Sequence, residues 1–186
     1  FGYPVPDSAA TLMRRADRAR REHRTADAQR DLVEAVALCR QTGERRELVQ
    51  ALKALGQIER DLGRGDAALP LYEEAVAICR AESDRLMLAH TVRHLGDIHQ
   101  DAGRTDQAEP CYREALAIYR GTEGAHKLDF ANAIRPLAIL KSNAGQLEAA
   151  KPLWEEAREL YRTVGVREGV AECSGWLADL EGRCHT

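Results

Sequence analysis

The chain has 186 residues, enough for a buried core, with 27 Lys and Arg against 30 Asp and Glu and a net charge of −3. That balance offers no concentrated positive surface for nucleic acid, and no apolar run approaches the roughly 18 residues a membrane helix needs. Ala, Leu, Glu and Arg abound, aromatics are 5%, and no period-two run rich in Val, Ile and Thr occurs, so helices are expected throughout.

The opening segment, FGYPVPD, is neither a Met start nor a signal peptide and reads as an arm left by processing or trimming. A first helix follows. Its stretch LMRRADRARREHR carries Arg14, Arg15, Arg18, Arg20, Arg21 and Arg24, diluted by Asp17 and Glu22, which predicts a solvated face.

From residue 55 the sequence repeats itself. LGQIERDLGRGDAALPLYEEAVAICR aligns with LGDIHQDAGRTDQAEPCYREALAIYR, every pair 40 residues apart, and then with LAILKSNAGQLEAAKPLWEEARELYR, 42 further on. Gly56 falls on Gly96 and Ala138, Gly63 on Gly103 and Gly145, and Tyr72 on Tyr112 and Trp154. Stepping back 40 gives a degenerate copy with Ala16, Ala28, Leu32 and Ala35; stepping forward from Ala138 reaches Ala178 in a final half unit.

Each unit predicts two helices. The first bears apolar residues at helical spacing, such as Leu48, Leu52, Leu55, Ile58 and Leu62, and stops at a Gly suited to a left-handed cap. The second is expected to open on Asp66 or Asp106 as N-cap, with Pro70, Pro110 and Pro152 near its first turn; Pro136, inside a first helix, predicts a kink. Recurrence of Gly or Ala at positions 56, 96, 138 and 178 implies helices crossing too closely for a larger side chain, with the aromatic of the second helix filling the space beside it.

This spacing of a large aliphatic then Gly or Ala, a turn Gly, then Ala, Tyr, Ala resembles the tetratricopeptide repeat, in the longer-helix variety of kinesin light chains. The resemblance implies an all-α, right-handed α-solenoid of antiparallel helix pairs, with about 4.5 repeats and roughly nine helices. The expected divisions are an arm over 1–7 and a repeat domain over 8–186, with units at about 8–43, 44–83, 84–123 and 126–165 and a capping helix at about 167–183. First helices line the concave surface in such arrays.

Packing of neighbouring units carries the stability of an array, which leaves function to residues not needed for it. On the face opposite the apolar stripe these are Gln50, Lys53, Gln57 and Arg60, then His90, Arg93, Asp97 and Gln100, then Asn132 and Arg135 with Ile139 and Ser142. The resemblance implies that such positions contact peptides. Lys53, Arg93 and Arg135 share one register, a row of donors suited to an acidic peptide or a free carboxyl terminus; the competing reading pairs each cation within its own helix, as Arg93 with Asp97. The family's carboxylate clamp is only partly matched, since its asparagines appear here as Gln57 and Asp97.

No phosphate-binding Gly loop, nucleophile elbow or zinc-protease helix is present, so no enzyme and no cofactor is expected. His90, His94 and Asp97, with Asp101 one turn on, have the spacing of metal ligands, a weak signal without a ligand from another element. Five cysteines, Cys39, Cys79, Cys111, Cys173 and Cys184, an odd number with no CxxC, fit packed thiols in a reducing, cytoplasmic setting. The expectation is a protein- or peptide-binding scaffold with neither nucleic acid nor membrane as partner. Two alternatives stay open: a regulatory or sensing segment of a larger protein, and self-assembly through the apolar arm of Phe1, Tyr3, Pro4 and Val5.

Overall fold

The structure is a computed structural model and describes residues 7–183. The arm residues Phe1, Tyr3, Pro4 and Val5, and Cys184, lie outside the described residues. Among those described, all regular structure is helical and falls into two compact units, divided between Ser83 and Asp84.

The first unit holds α1 (Ala9–Arg21), α2 (Thr25–Thr42), α3 (Arg45–Asp61) and α4 (Gly65–Ala81). Within it α1 packs on α2, α2 on α3, and α3 on α4. The second holds α5 (Arg85–Asp101), α6 (Thr105–Arg120), α7 (Lys127–Asn143), α8 (Leu147–Val164) and α9 (Arg167–Arg183), each packed on the next. Neighbours joined by turns of three residues or fewer run antiparallel, as short helix connections require.

Why the helices stop where they do follows from one hydrogen-bonded turn used five times among the described residues, after α1, α3, α5, α7 and α8. After α3, Leu62 N donates to Ile58 O at 3.0 Å, Gly63 N to Arg60 O at 2.9 Å and Arg64 N to Glu59 O at 2.8 Å. The last bond spans five residues and demands a left-handed residue before it; Gly63, Gly103 and Gly145 supply it at φ of 72°, 72° and 71°. At the turn after α1 the same position is His23, at φ 58°. A side chain there costs about 1 kcal/mol that Gly avoids.

The expected N-caps are corrected by this turn. Arg64 and Arg104 are the capping residues, because only one residue separates the left-handed Gly from the helix; Asp66 and Asp106 fall in the first turn, where their charge meets the positive helix end. Pro70, Pro110 and Pro152 each lie at the sixth helical position, one turn later than expected. Pro136 leaves α7 continuous from Lys127 to Asn143.

The small residues do what their recurrence implied. An added Cβ at Gly56 would lie 2.6 Å from Tyr72 Cε2, and one at Gly96 would lie 2.7 Å from Tyr112 Cε1. In the third such register Ala138 is fully buried in the same core as Trp154, whose indole Nε1 donates to Ser142 Oγ at 2.9 Å. Several buried carboxylates and cations within each unit are paired: Arg15 forks onto the buried Asp31, Gln29 bonds Glu59, and the buried Lys141 ammonium meets Glu109 at 2.6 Å. His99 is buried, on the packed side as its register implied, with Arg104 Nε donating to its Nδ1 at 3.2 Å.

Candidate functional site

In the first unit, α3 carries Gln50 exposed and Lys53, Gln57 and Arg60 half-buried. Tyr72 of α4 donates to the Lys53 carbonyl at 3.2 Å, and Gln57 donates to Asp61 Oδ1 at 2.6 Å. The same unit contains a cleft of about 530 Å³ between the α1–α2 turn and the end of α3, lined in part by Asp17, Arg20, Arg21, His23, Asp61 and Leu62. Asp17 and Arg20 occupy the register of Gln57 and Arg60, 40 residues earlier. Sequence reasoning misses them when it treats the first repeat as a cap, although stepping the inner-face register back one unit finds both.

In the second unit the candidate residues of α5 form one network. Arg93 Nη1 donates to Asp97 Oδ2 at 3.2 Å, and its Nη2 lies 2.7 Å from His94 Nε2. The Tyr112 hydroxyl of α6 sits 3.1 Å from Asp97 Oδ1 and 2.7 Å from Gln100 Oε1, so one phenol orients two side chains of the facing helix. Arg93 and Asp97 are only 16% and 13% exposed, so this pair is held within the wall rather than swinging in solvent. His90 stacks obliquely on His94, ring centroids 4.6 Å apart.

On α7 the pattern repeats with different partners. Asn132 Oδ1 accepts from the Tyr161 hydroxyl of α8 at 2.8 Å. Arg135 forks onto Glu172 of α9, with Nε and Nη2 each 2.7 Å from a carboxylate oxygen. Burial pushes Tyr161 up to about 12, with Arg135 and Arg93 both opposing that rise, so its phenol feels both cations of the row. Tyr119 is likewise raised to about 12 by burial and by Asp129. Both phenols therefore stay protonated donors at neutral pH.

The cation row thus differs from a set of open donors in this unit. Arg93 takes its carboxylate from its own helix, as the competing reading held, and Arg135 takes one from the next helix. The metal-like spacing of His90, His94, Asp97 and Asp101 is not met by a converging site: among the described residues no group of three or more His, Cys, Asp or Glu is placed to hold a metal ion. Asp97 instead commits its two oxygens to Arg93 and Tyr112. Among the described residues no helix is long and apolar enough to cross a membrane.

The fold has counterparts among solved structures. Over 92% of its length the chain superposes on aspartyl phosphate phosphatase F from Bacillus subtilis, with a TM-score of 0.82 at 14% identity. It superposes comparably on the apo form of RapI, with a TM-score of 0.82 at 13% identity over 91% of its length. The chain spans 45% and 47% of those two proteins. A putative kinesin light chain from Podosopora anserina, described as nearly identical TPR-like repeats, matches with a TM-score of 0.69 at 17% identity, covering 95% of this chain and 96% of that one. None of the curated proteins matches the sequence. The family model described as tetratricopeptide repeat matches residues 7–81, 47–121 and 84–163, in step with the helix pairs and their small-residue crossings, and the chain belongs to the tetratricopeptide repeat family.

Proposed function

We propose that the chain is a protein- or peptide-binding scaffold without chemistry of its own, and that it binds through the first-helix face: Gln50, Lys53, Gln57 and Arg60 in the first unit, and His90, Arg93, Asp97, Gln100, Asn132 and Arg135 in the second. One observation carries this reading. The second helices place phenols, Tyr112 and Tyr161, so that they hold polar side chains of the first helices at half-buried positions where packing needs none. Side chains fixed before a partner arrives lose less freedom on binding, and each ordered long side chain otherwise costs about 0.5–1.5 kcal/mol.

The finer reading is that the partner segment brings a carboxylate to Arg135. Glu172 already holds that guanidinium, so an incoming carboxylate exchanges with it instead of filling an empty cation. Arg135 is 43% and Glu172 33% exposed, and pairs so open to solvent contribute no more than about 1 kcal/mol. Exchange is therefore within reach of a partner that makes other contacts. That the chain spans less than half of two structural neighbours favours a second reading alongside, in which this scaffold is the regulatory segment of a longer protein.

The test uses an Asp- and Glu-rich peptide with a free C-terminus as probe, titrated by fluorescence anisotropy. Glu172→Gln should tighten binding about two- to fivefold by removing the competitor, and Arg135→Gln should weaken it. The triple variant Lys53→Glu, Arg93→Glu, Arg135→Glu should capture no partner from lysate. A triple variant that stays helical and captures the same partner as the parent would end this reading.

A further inference from the structure

We propose that the exposed arginine face of α1 is an interaction surface for a second copy of this chain, and that it docks on the open face of that copy's α9. Along α1 there are five arginines against one aspartate. Arg14, Arg18 and Arg21, at i, i+4 and i+7, form one exposed stripe. Among the described residues Arg18 and Arg21 meet no carboxylate, and Arg14 reaches only Thr11 Oγ1 at 3.0 Å. By contrast, three arginines elsewhere are held across helices, Arg40 by Glu74, Arg120 by Glu156 and Arg135 by Glu172.

Register explains Arg18 of that stripe. Arg15 and Arg18 stand where α3 buries Leu55 and Ile58, α7 buries Leu137 and Leu140, and α9 buries Leu177 and Leu180. The face that those helices give to packing is, on α1, converted to charge. Five guanidinium groups within eight residues repel one another unless a counter-charge is supplied, and the described residues of this chain supply an ion-pair partner only to Arg15.

The counter-charge exists on α9, which carries four carboxylates against two arginines. Glu168 and Asp179 are exposed and make no ion pair among the described residues. Beside them Ala171, Gly175, Ala178 and Gly182 are exposed too, and a Cβ added at Gly175 would meet nothing within 4 Å. Ala178 is in the register of Gly56 and Gly96, which lie against the ring of a paired helix, yet no described helix lies on it here. The two faces match in size as well as charge, since 13 and 17 residues make helices about 20 and 25 Å long. Arginine stems can cross a strip of small residues and set their heads on the carboxylates beyond it.

The contact joins unlike faces, so copies would build rings or open filaments, and association itself is the observable rather than a fixed stoichiometry. Sedimentation velocity over a range of concentrations tests it on the protein as it stands. The parent should associate, and association should fade in high salt, because the screening length falls to about 3 Å at 1 M. Arg14→Glu, Arg18→Glu, Arg21→Glu in one variant, and Glu168→Lys, Asp179→Lys in another, should each lose roughly a hundredfold in association. Mixing the two variants should restore it, since both kinds of contact in the mixture then pair opposite charges. Circular dichroism confirms that each variant is folded, and the mixture reports on it as well. A parent that stays monomeric throughout, variants that associate as the parent does, or folded variants that fail to restore association on mixing would each overturn the proposal. The same holds if the parent stays monomeric and an acidic protein, a nucleic acid or a further helix of a longer polypeptide occupies either face instead.

Discussion

Gly96→Ala is the sharpest probe of the packing that builds the site. By helix propensity alone the change should stabilise the protein by about 1 kcal/mol. The structure reverses that sign. The new Cβ would stand 2.7 Å from Tyr112 Cε1 and 3.0 Å from Cys111 Cβ, inside any ordinary contact distance. Tyr112 has no exposed surface and its hydroxyl is tied to Asp97 and Gln100, so the ring cannot back away without giving up those bonds. Overpacking of this kind costs typically 1–3 kcal/mol and a lost hydrogen bond about 1 more. The net expectation is a loss of about 1–3 kcal/mol. Gly175→Ala, titrated at concentrations where the chain is monomeric, is the control, because nothing lies within 4 Å of it and only the propensity gain applies. Urea titration followed by circular dichroism should therefore move the two midpoints in opposite directions. If Gly96→Ala were stabilised as much as Gly175→Ala, the close approach of α5 and α6 would be wrong, and with it the orienting role of Tyr112.

Two further outcomes follow from single residues. His23→Gly, at the one non-Gly residue described with φ of 58°, should stabilise the protein by roughly 0.5 kcal/mol, the relief of left-handed strain less the greater freedom Gly has when unfolded; a destabilised variant in the same titration would mean that the imidazole does structural work. Lys141 and then Arg113 hold the Glu109 carboxyl below its ordinary 4.5, so the stability it contributes is complete above about pH 4.5 and is lost as pH falls through the lower folded value. Lys141→Met removes the larger cause. Melting temperatures taken downward from pH 5 should accordingly drop less steeply in that variant than in the parent, and equal slopes would refute the pairing.

The fold was legible in the sequence because its tightest constraints are steric and recur. A helix crossing in which an added Cβ would lie 2.6 or 2.7 Å from a ring selects Gly, and its aromatic partner must sit 16 residues on, as Gly56 with Tyr72 and Gly96 with Tyr112. A turn that needs φ near 72° selects Gly with similar force. The N-caps fall elsewhere than expected because side-chain preference is a weaker signal than this turn: once Gly63 is fixed, Arg64 has no alternative position, and its lack of a capping hydrogen bond is tolerated.

For the candidate site, pairing within a helix could be read and pairing between helices could not. Arg93 with Asp97 is an i, i+4 pair visible in any helical reading. Arg135 with Glu172 is not, since it depends on where α9 lies against α7. The repeat register nevertheless contains the rule that finds it. Glu172 is one unit on from Asn132, and Asn132 is one unit on from His90, so among these three only Glu172 is a carboxylate, and it is the one that holds Arg135. A row of like charges on one helix series is informative only when read together with the row opposite it. Arg93 and Arg135 share a register, yet one takes its carboxylate from its own helix and the other from the next, and only the second choice needs the packing of α9 to be known.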